Sequence, residues 1–457
     1  MRRIRILLLG VIAWMGAVGG HAQTPLTLEG CLNRAVEANL QVQISAISVS
    51  SAEVTYIQRK FDFLPTVAAN LPATKTFGKT ADIFTNQIAS SPWTSQSSLG
   101  ATFTVFRGLS KWSELHNAEA TLRANKYSLE DLKNDIRLNT AVAFFATMYA
   151  GDNLKIGKER LELLEKQLDN LQHLVDAGTK TQGDLYSLQA QLATERMNAV
   201  NQQNAYDRSL LDLVLLLNMD PAEQYQIQRP ELLDSEVGEL EDVNSIFQSA
   251  RLTNPGVLKQ EFAALAAKYA IRTAKAAYYP TFNVTFGLGS FFSTNTRRFL
   301  GYGYVDNIPQ AIFGARIPVF EQLGDNFSQS MSLSLTVPIF TRGLFRQNQK
   351  IAEFNHETAQ LRVKSEELDL YRTVQQAHLD ARAADARYAA SQTQTESLTE
   401  ALRYAQARYD AGMMDFVAYL EVLNNHTRAA VERSQAQYDR VLKRKILDIY
   451  QGKPLTF

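Results

Sequence analysis

A single cysteine among 457 residues leaves this chain unable to form an intrachain disulfide. Its 47 basic and 47 acidic residues cancel and are interspersed, so nothing marks it for nucleic acid. The six histidines are scattered, with no pair at zinc-ligand spacing. There is no Gly-x-Ser-x-Gly and no cluster of metal ligands, which excludes the usual hydrolase signatures; no cofactor is expected. Beyond the N-terminus no run of about 18 apolar residues occurs, so no transmembrane helix is expected there. Proline is missing from two long stretches, Phe106 to Gly178 and Phe340 to Gly412, and glycine is rare in both.

Those two stretches organise the chain. Each opens on an apolar residue and Phe (Val105-Phe106, Ile339-Phe340), and each closes on Asp-Ala-Gly at the same spacing. As a helix, either would be roughly 100 Å long at 1.5 Å per residue. No compact core needs that length; it implies coiled-coil or repeat packing.

The first residues read as an export signal over 1–22. Arg2, Arg3 and Arg5 precede an apolar run, Ile6 to Val18, too short to cross a bilayer, and Gly20 and Ala22 supply small residues for cleavage. Cys31 is no lipid-attachment site, because Glu29 breaks the required small-residue pattern. It falls with Leu28, Leu32, Ala35 and Val36 on one helical face.

The remainder reads as two copies, 23–220 and 242–457, joined by an acidic segment at 221–241 that carries Pro221 and Pro230. Thr27 to Leu64 matches Asp242 to Tyr279 at a constant offset: Ala35 with Ala250, Asn39 with Asn254, Pro65 with Pro280. Each of these helices ends at its proline. The period then shifts from about 3.6 to 2. Val67, Ala69, Leu71 and Ala73 alternate with polar residues, as do Leu99 to Val105, Phe282 to Leu288, and Met331 to Ile339. The expected hairpins span about 66–106 and 281–340. Four strands with one apolar face and one small, polar face carry the signature of a transmembrane β-barrel, although a soluble sandwich also alternates. Leu99, Phe103, Phe282, Val284, Phe286, Leu333, Leu335 and Val337 are assigned to lipid. The segment from about Asn295 to Asn326 is read as a surface loop.

Each long arm ends at a glycine suited to a left-handed turn, Gly178 or Gly412. Thr179 to Gly183 then form a turn, Asp184 is placed to cap a returning helix, and that helix stops before Pro221. The second returning helix runs from about Phe416 to Tyr450 and stops before Pro454.

This ordered pattern resembles the TolC-like family of outer-membrane efflux ducts (outer membrane factors). The resemblance covers the chain after the signal. It rests on the duplication, on Leu64-Pro65 and Tyr279-Pro280 entering the strands, and on the tip stretches Asp176 to Leu185 and Asp410 to Asn424. It implies an α+β membrane protein, a homotrimer whose twelve-stranded barrel lies in outer-membrane lipid above a periplasmic barrel of long antiparallel helices. It further implies passive export without enzymatic chemistry, with the tips docked on a periplasmic adaptor and an inner-membrane transporter. The tip turns at Gly178, Thr179, Gly412 and Met413 would meet the adaptor. Asp184, Asp415 and Glu421 are candidates for the carboxylate ring at the periplasmic aperture. The family carries an acidic pair three residues apart where this chain has Glu421 and Asn424, so a second ring at 424 is not expected. The competing readings are a periplasmic coiled-coil adaptor, which would lack four lipid-compatible strands, and a barrel enzyme.

Overall fold

The computed structural model describes residues 24–81, 88–90, 92–229, 240–305 and 308–453. The expected export signal, the joining segment from Pro230 to residue 239, and Pro454 lie outside them. In chain order the first half comprises β1 (Thr24–Leu26), α1 (Leu28–Ala38), α2 (Leu40–Phe61), β2 (Thr66–Asn70), β3 (Thr74–Lys75), β4 (Lys79–Ala81), β5 (Ile88–Ser90), β6 (Trp93–Arg107), α3 (Ser110–Asp176) and α4 (Gln182–Leu216). The second half comprises β7 (Tyr225–Ile227), α5 (Val243–Thr253), α6 (Pro255–Ala276), β8 (Thr281–Ser293), β9 (Arg297–Val305), β10 (Ile308–Arg316), α7 (Val319–Asp325), β11 (Ser328–Thr336), α8 (Leu344–Asp410) and α9 (Phe416–Tyr450). The fold is mostly helical. Helices α1, α2, α3 and α4 contain 11, 22, 67 and 35 residues, and α5, α6, α8 and α9 repeat those lengths. Among the described residues no helix is long and apolar enough to cross a membrane.

The same local chemistry sets the ends of both series. Asn39 closes α1 through its backbone N–H, while its side chain accepts from Gln41 N at 2.8 Å and Val42 N at 3.2 Å to open α2. Asn254 does likewise between α5 and α6, with Pro255 at the first helical position, where a missing N–H costs nothing.

Contacts divide the chain into two compact units. One contains residues up to Val49, Ala124–Gln260 and residues from Arg362 onward. Its core is three apolar clusters along packed helices. The first gathers Cys31, Phe144, Phe145, Leu213 and Tyr438 beside the parallel pair β1–β7. Cys31 is 1% exposed there, and burial pushes its thiol up to about 12. Small residues let the helices approach: a Cβ added at Gly157 of α3 would meet Gln202 of α4, and one at Gly151 would meet Tyr206. Buried threonines stitch neighbours together. Thr147 Oγ1 donates to Ser209 O at 3.0 Å, and Thr395 Oγ1 to Ala429 O at 3.2 Å.

The second unit, Ser50–Arg123 and Glu261–Leu361, is built on an antiparallel sheet ordered β11–β8–β6–β2, with β3 pairing further along β6. Pairing register sorts its side chains into two faces. Successive rows of one face are Leu335–Phe282–Phe106, Leu333–Val284–Phe103, Met331–Phe286–Ala101–Val67 and Gln329–Leu288–Leu99–Ala69, apolar but for Gln329 at the margin. The opposite face carries Ser334–Asn283–Thr104, Ser332–Thr285–Thr102–Thr66 and Ser330–Gly287–Gly100–Ala68.

Several expectations need correction. Strand β2 stops at Asn70 rather than reaching Ala73, because Pro72 has no N–H to extend the ladder. Strand β11 stops at Thr336 just before Pro338, so Val337, expected on the lipid face, lies outside the strand. A bulge between Thr104 and Phe106 puts Phe106, not Val105, opposite Phe282. The expected loop after Asn295 is a hairpin, β9–β10, followed by helix α7. Glycine made that hairpin look irregular, yet Gly303 serves it: a Cβ there would stand 2.7 Å from Ile312. Buried Gln322 pins α7 to β8, accepting from Ser293 N at 2.9 Å and donating to Ser293 O at 3.0 Å.

Candidate functional site: the helix tips and the sheet faces

The tips lie within the first unit. Helices α3 and α8 both end in a Schellman motif. Thr179 N donates to Leu174 O and Gly178 N to Val175 O, each at 2.9 Å; Met413 N donates to Arg408 O at 2.8 Å and Gly412 N to Tyr409 O at 3.0 Å. Gly178 and Gly412 have φ of 75° and 71°, and a Cβ at either would meet nothing within 4 Å. Glycine is therefore needed at both for its backbone freedom, not for space.

The returning helices begin on caps, and these revise the reading of the candidate carboxylates. Thr181, not Asp184, is the N-cap of α4. Its Oγ1 accepts from Asp184 N at 3.2 Å, while Asp184 Oδ2 accepts from Thr181 N at 3.3 Å and from Thr181 Oγ1 at 2.9 Å. That is a capping box with aspartate in the third helical position. Asp415 is the N-cap of α9, its Oδ1 accepting from Ala418 N at 2.8 Å. Glu421 has no such duty. It is exposed on α9, with no ion pair or side-chain hydrogen bond among the described residues.

Behind the tips lies an aromatic core. Tyr419 is 1% exposed, stacks on Tyr409 with ring centroids 5.1 Å apart, and accepts from Gln167 Nε2 at 2.7 Å. Lys180 Nζ sits 5.3 Å above the Tyr409 ring. Burial first, then the nearby Asp184, raises the Tyr409 hydroxyl above its ordinary value. Phe416, Leu164, Leu185 and Leu188 complete this cluster.

One constellation was missed by sequence reasoning. Arg160 of α3 pairs with Glu195 of α4 at 2.7 Å, the side chains 13% and 10% exposed, and also donates to Asn424 Oδ1 of α9. Gln191 and Asn198 donate to the same carboxylate at 2.8 and 3.3 Å. Asn424 is thus an acceptor for a buried guanidinium. The only cue in the sequence is that Arg160 and Glu195 stand nearly equally far from the Gly178 turn.

In the second unit, the assigned lipid-face residues Leu99, Phe103, Phe282, Val284, Phe286, Leu333 and Leu335 do share one face of one sheet. Across that sheet, Thr102 and Thr285 hydroxyls meet at 3.4 Å. Among the described residues its two edge strands, β2 and β11, each have one unpaired side.

The model of the family described as outer membrane efflux protein matches residues 31–219 and 246–450. The chain belongs to the outer membrane efflux protein family. Outer membrane protein TolC of Escherichia coli (strain K12) is 23% identical over 356 residues, 76% of this chain and 66% of that protein. The match therefore spans just under two thirds of that relative's length. The probable outer membrane lipoprotein SilC of Salmonella typhimurium is 21% identical over 92% of this chain and 83% of its own. Among solved structures, the fold is similar to that of CusC, with a TM-score of 0.76 at 16% identity over 93% of this chain and 92% of that one. It is likewise similar to the open-state Neisseria gonorrhoeae MtrE outer membrane channel, with a TM-score of 0.74 at 18% identity over 94% and 89%.

Proposed function

We propose that the chain is one protomer of a homotrimeric outer-membrane exit duct for a tripartite efflux or type I secretion system. The sheet carries this reading. Its apolar face suits lipid, its serine and threonine face suits a water-filled lumen, and four strands are too few to close. Open edges in hydrocarbon would leave backbone groups unsatisfied, so further copies must pair with β2 and β11. Apolar residues stand exposed beside both edges: Ile57, Phe61 and Leu64 precede β2, while Leu344, Ile351, Phe354 and Leu361 follow β11. The last four, separated by seven, three and seven residues, fall on the two apolar positions of a heptad seam. Each edge thus comes with a helix stripe, and a head-to-tail ring of copies covers all of them.

In this reading the chain divides into an export signal (1–22), two repeats (23–220 and 242–457) and a joining belt (221–241), and each repeat contributes one hairpin to the barrel. The turns at Gly178, Thr179, Gly412 and Met413 dock a periplasmic adaptor that links the duct to an inner-membrane transporter. Three-fold symmetry makes Glu421 the aperture ring, because Asp184 and Asp415 already serve as caps. The duct is passive and does no chemistry. Fractionation of the cell envelope tests the reading. The chain is expected in the outer membrane, released only by detergent; recovery as a soluble periplasmic protein would refute it.

A further inference from the structure

Beside the sheet, the second unit holds two grooves of different character. One is lined by Thr66, Thr102, Thr104 and Arg107, the small, polar side of the sheet. Its cations are engaged within the chain: Arg59 and Arg107 pair with Asp62 and Glu114 at 2.7 to 3.5 Å, and Lys111 donates to Thr104 O at 3.0 Å. The other, of about 580 Å³, is lined by Phe106, Leu109, Trp112, Tyr269 and Tyr279 together with Arg272 and Lys275. Phe106 belongs to the apolar row Leu335–Phe282–Phe106, so this groove continues the lipid-compatible face where the strands give way to helices.

Three features of the second groove converge on an anion with an apolar tail. No carboxylate lines it, and among the described residues neither Arg272 nor Lys275 forms an ion pair. Two carboxylates stand outside it: Glu119, 3.5 Å from the lining His116 and also paired with Arg123 at 2.7 Å, and Glu353, near Lys275 and already held by Lys350 at 2.7 Å and Gln349 at 2.8 Å. The first turn of the 67-residue helix α3 borders the groove through Trp112 and Ser113, adding the positive end of its dipole. The walls are fixed in place. A Cβ on Gly108 would stand 2.4 Å from Ala276 O, and the Tyr269 ring stacks with His116 at 5.2 Å and lies 5.3 Å from the Arg272 guanidinium. Phe63 packs edge-on against the Trp112 ring at 5.0 Å, yet Trp112 and Leu109 remain exposed and present an apolar surface.

We propose that this groove binds an anionic glycerophospholipid from the leaflet nearer the helices, its phosphate between Arg272 and Lys275 and its acyl chains along Trp112, Leu109 and Phe106. The inference rests on the reading that the sheet lies in a membrane. Continuity with the apolar row supplies the route for the acyl chains. The unbalanced cations supply the preference for an anionic headgroup over a zwitterionic one, because each cation near a membrane surface favours anionic lipid.

Native mass spectrometry of the detergent-extracted complex, titrated with dioleoyl-phosphatidylglycerol or dioleoyl-phosphatidylcholine, tests it. Selective adducts with phosphatidylglycerol are expected. Arg272→Gln and Lys275→Gln should each weaken them about fivefold. The charge-conserving pair Arg272→Lys with Lys275→Arg should retain them, which separates lost charge from lost fold. Equal affinity for both lipids, undiminished adducts in the glutamine variants, or displacement by millimolar inorganic phosphate would each overturn the proposal. A chain that needs no detergent for extraction would overturn the membrane reading itself, and the lipid site with it.

Discussion

Placing a charge on either face of one strand measures which face meets lipid. Leu333 lies opposite Val284, which lies opposite Phe103, with the Leu335–Phe282 row on one side and the Met331–Phe286 row on the other. Rows two residues apart are about 7 Å from one another along a strand, so four apolar rows span roughly 20 Å, close to the apolar band of outer-membrane barrels. Leu333 is in an inner row of that band. Arginine there should cost about 2–4 kcal/mol per chain, hence about 6–12 kcal/mol for three chains. Ser334, one residue on, lies opposite Asn283 in the polar row and faces water in the proposed lumen. Arginine at Ser334 should therefore cost far less. The temperature at which the oligomer dissociates in dodecyl sulfate, read from gel mobility, gives the comparison. Leu333→Arg should abolish or sharply lower the resistant species, and Ser334→Arg should leave it near wild type. Equal losses, or the reverse order, would show that the facing is wrong.

Other outcomes follow from the first unit. Glu195→Ala leaves the buried Arg160 guanidinium without its partner and should cost about 3 kcal/mol, while replacing both by Met should recover most of it. A double variant melting no higher than the single would contradict the assignment of a buried pair. Glu421→Gln should reduce cation selectivity and block by multivalent cations in planar bilayers, because a narrow ring of carboxylates attracts cations. Unchanged selectivity in that variant, with losses in Asp184→Asn or Asp415→Asn, would move the ring elsewhere. The hydrogen bond from Lys443 holds the Asp380 carboxyl below its ordinary value. A depressed folded value stabilises above the unfolded pKa and is lost as pH falls through the folded one. Asp380→Asn should accordingly flatten the acid limb of a helix-content titration, and an unaltered limb would count against that linkage.

What the sequence made legible were features with a local cause. Proline cannot continue a helix that precedes it, so Pro65 and Pro280 announced where helices give way to strands, whereas Pro255 opens α6. The glycines at 178 and 412 announced left-handed turns. The faces of β8 and β11 were readable because alternation and pairing register agree. The capping box at Thr181 was also written in the chain, as Thr-Gln-Gly-Asp, but Asp184 is itself a common cap residue and was preferred. Strand β9 was lost because glycine is a loop signal until its partner is known; only the pairing reveals that Ile312 fills the space over Gly303. The bulge that puts Phe106 opposite Phe282 and the buried Arg160–Glu195–Asn424 group depend on contacts between distant segments, and no periodicity encodes them.

The central claim is that one chain supplies only part of a closed barrel. The mass of the detergent-extracted complex tests it most directly. With a chain of 51.2 kDa before loss of any export signal, a species of three chains is predicted, persisting on dilution. A stable, folded single-chain species in mild detergent would contradict the account, because its sheet would then have to leave β2 and β11 unpaired.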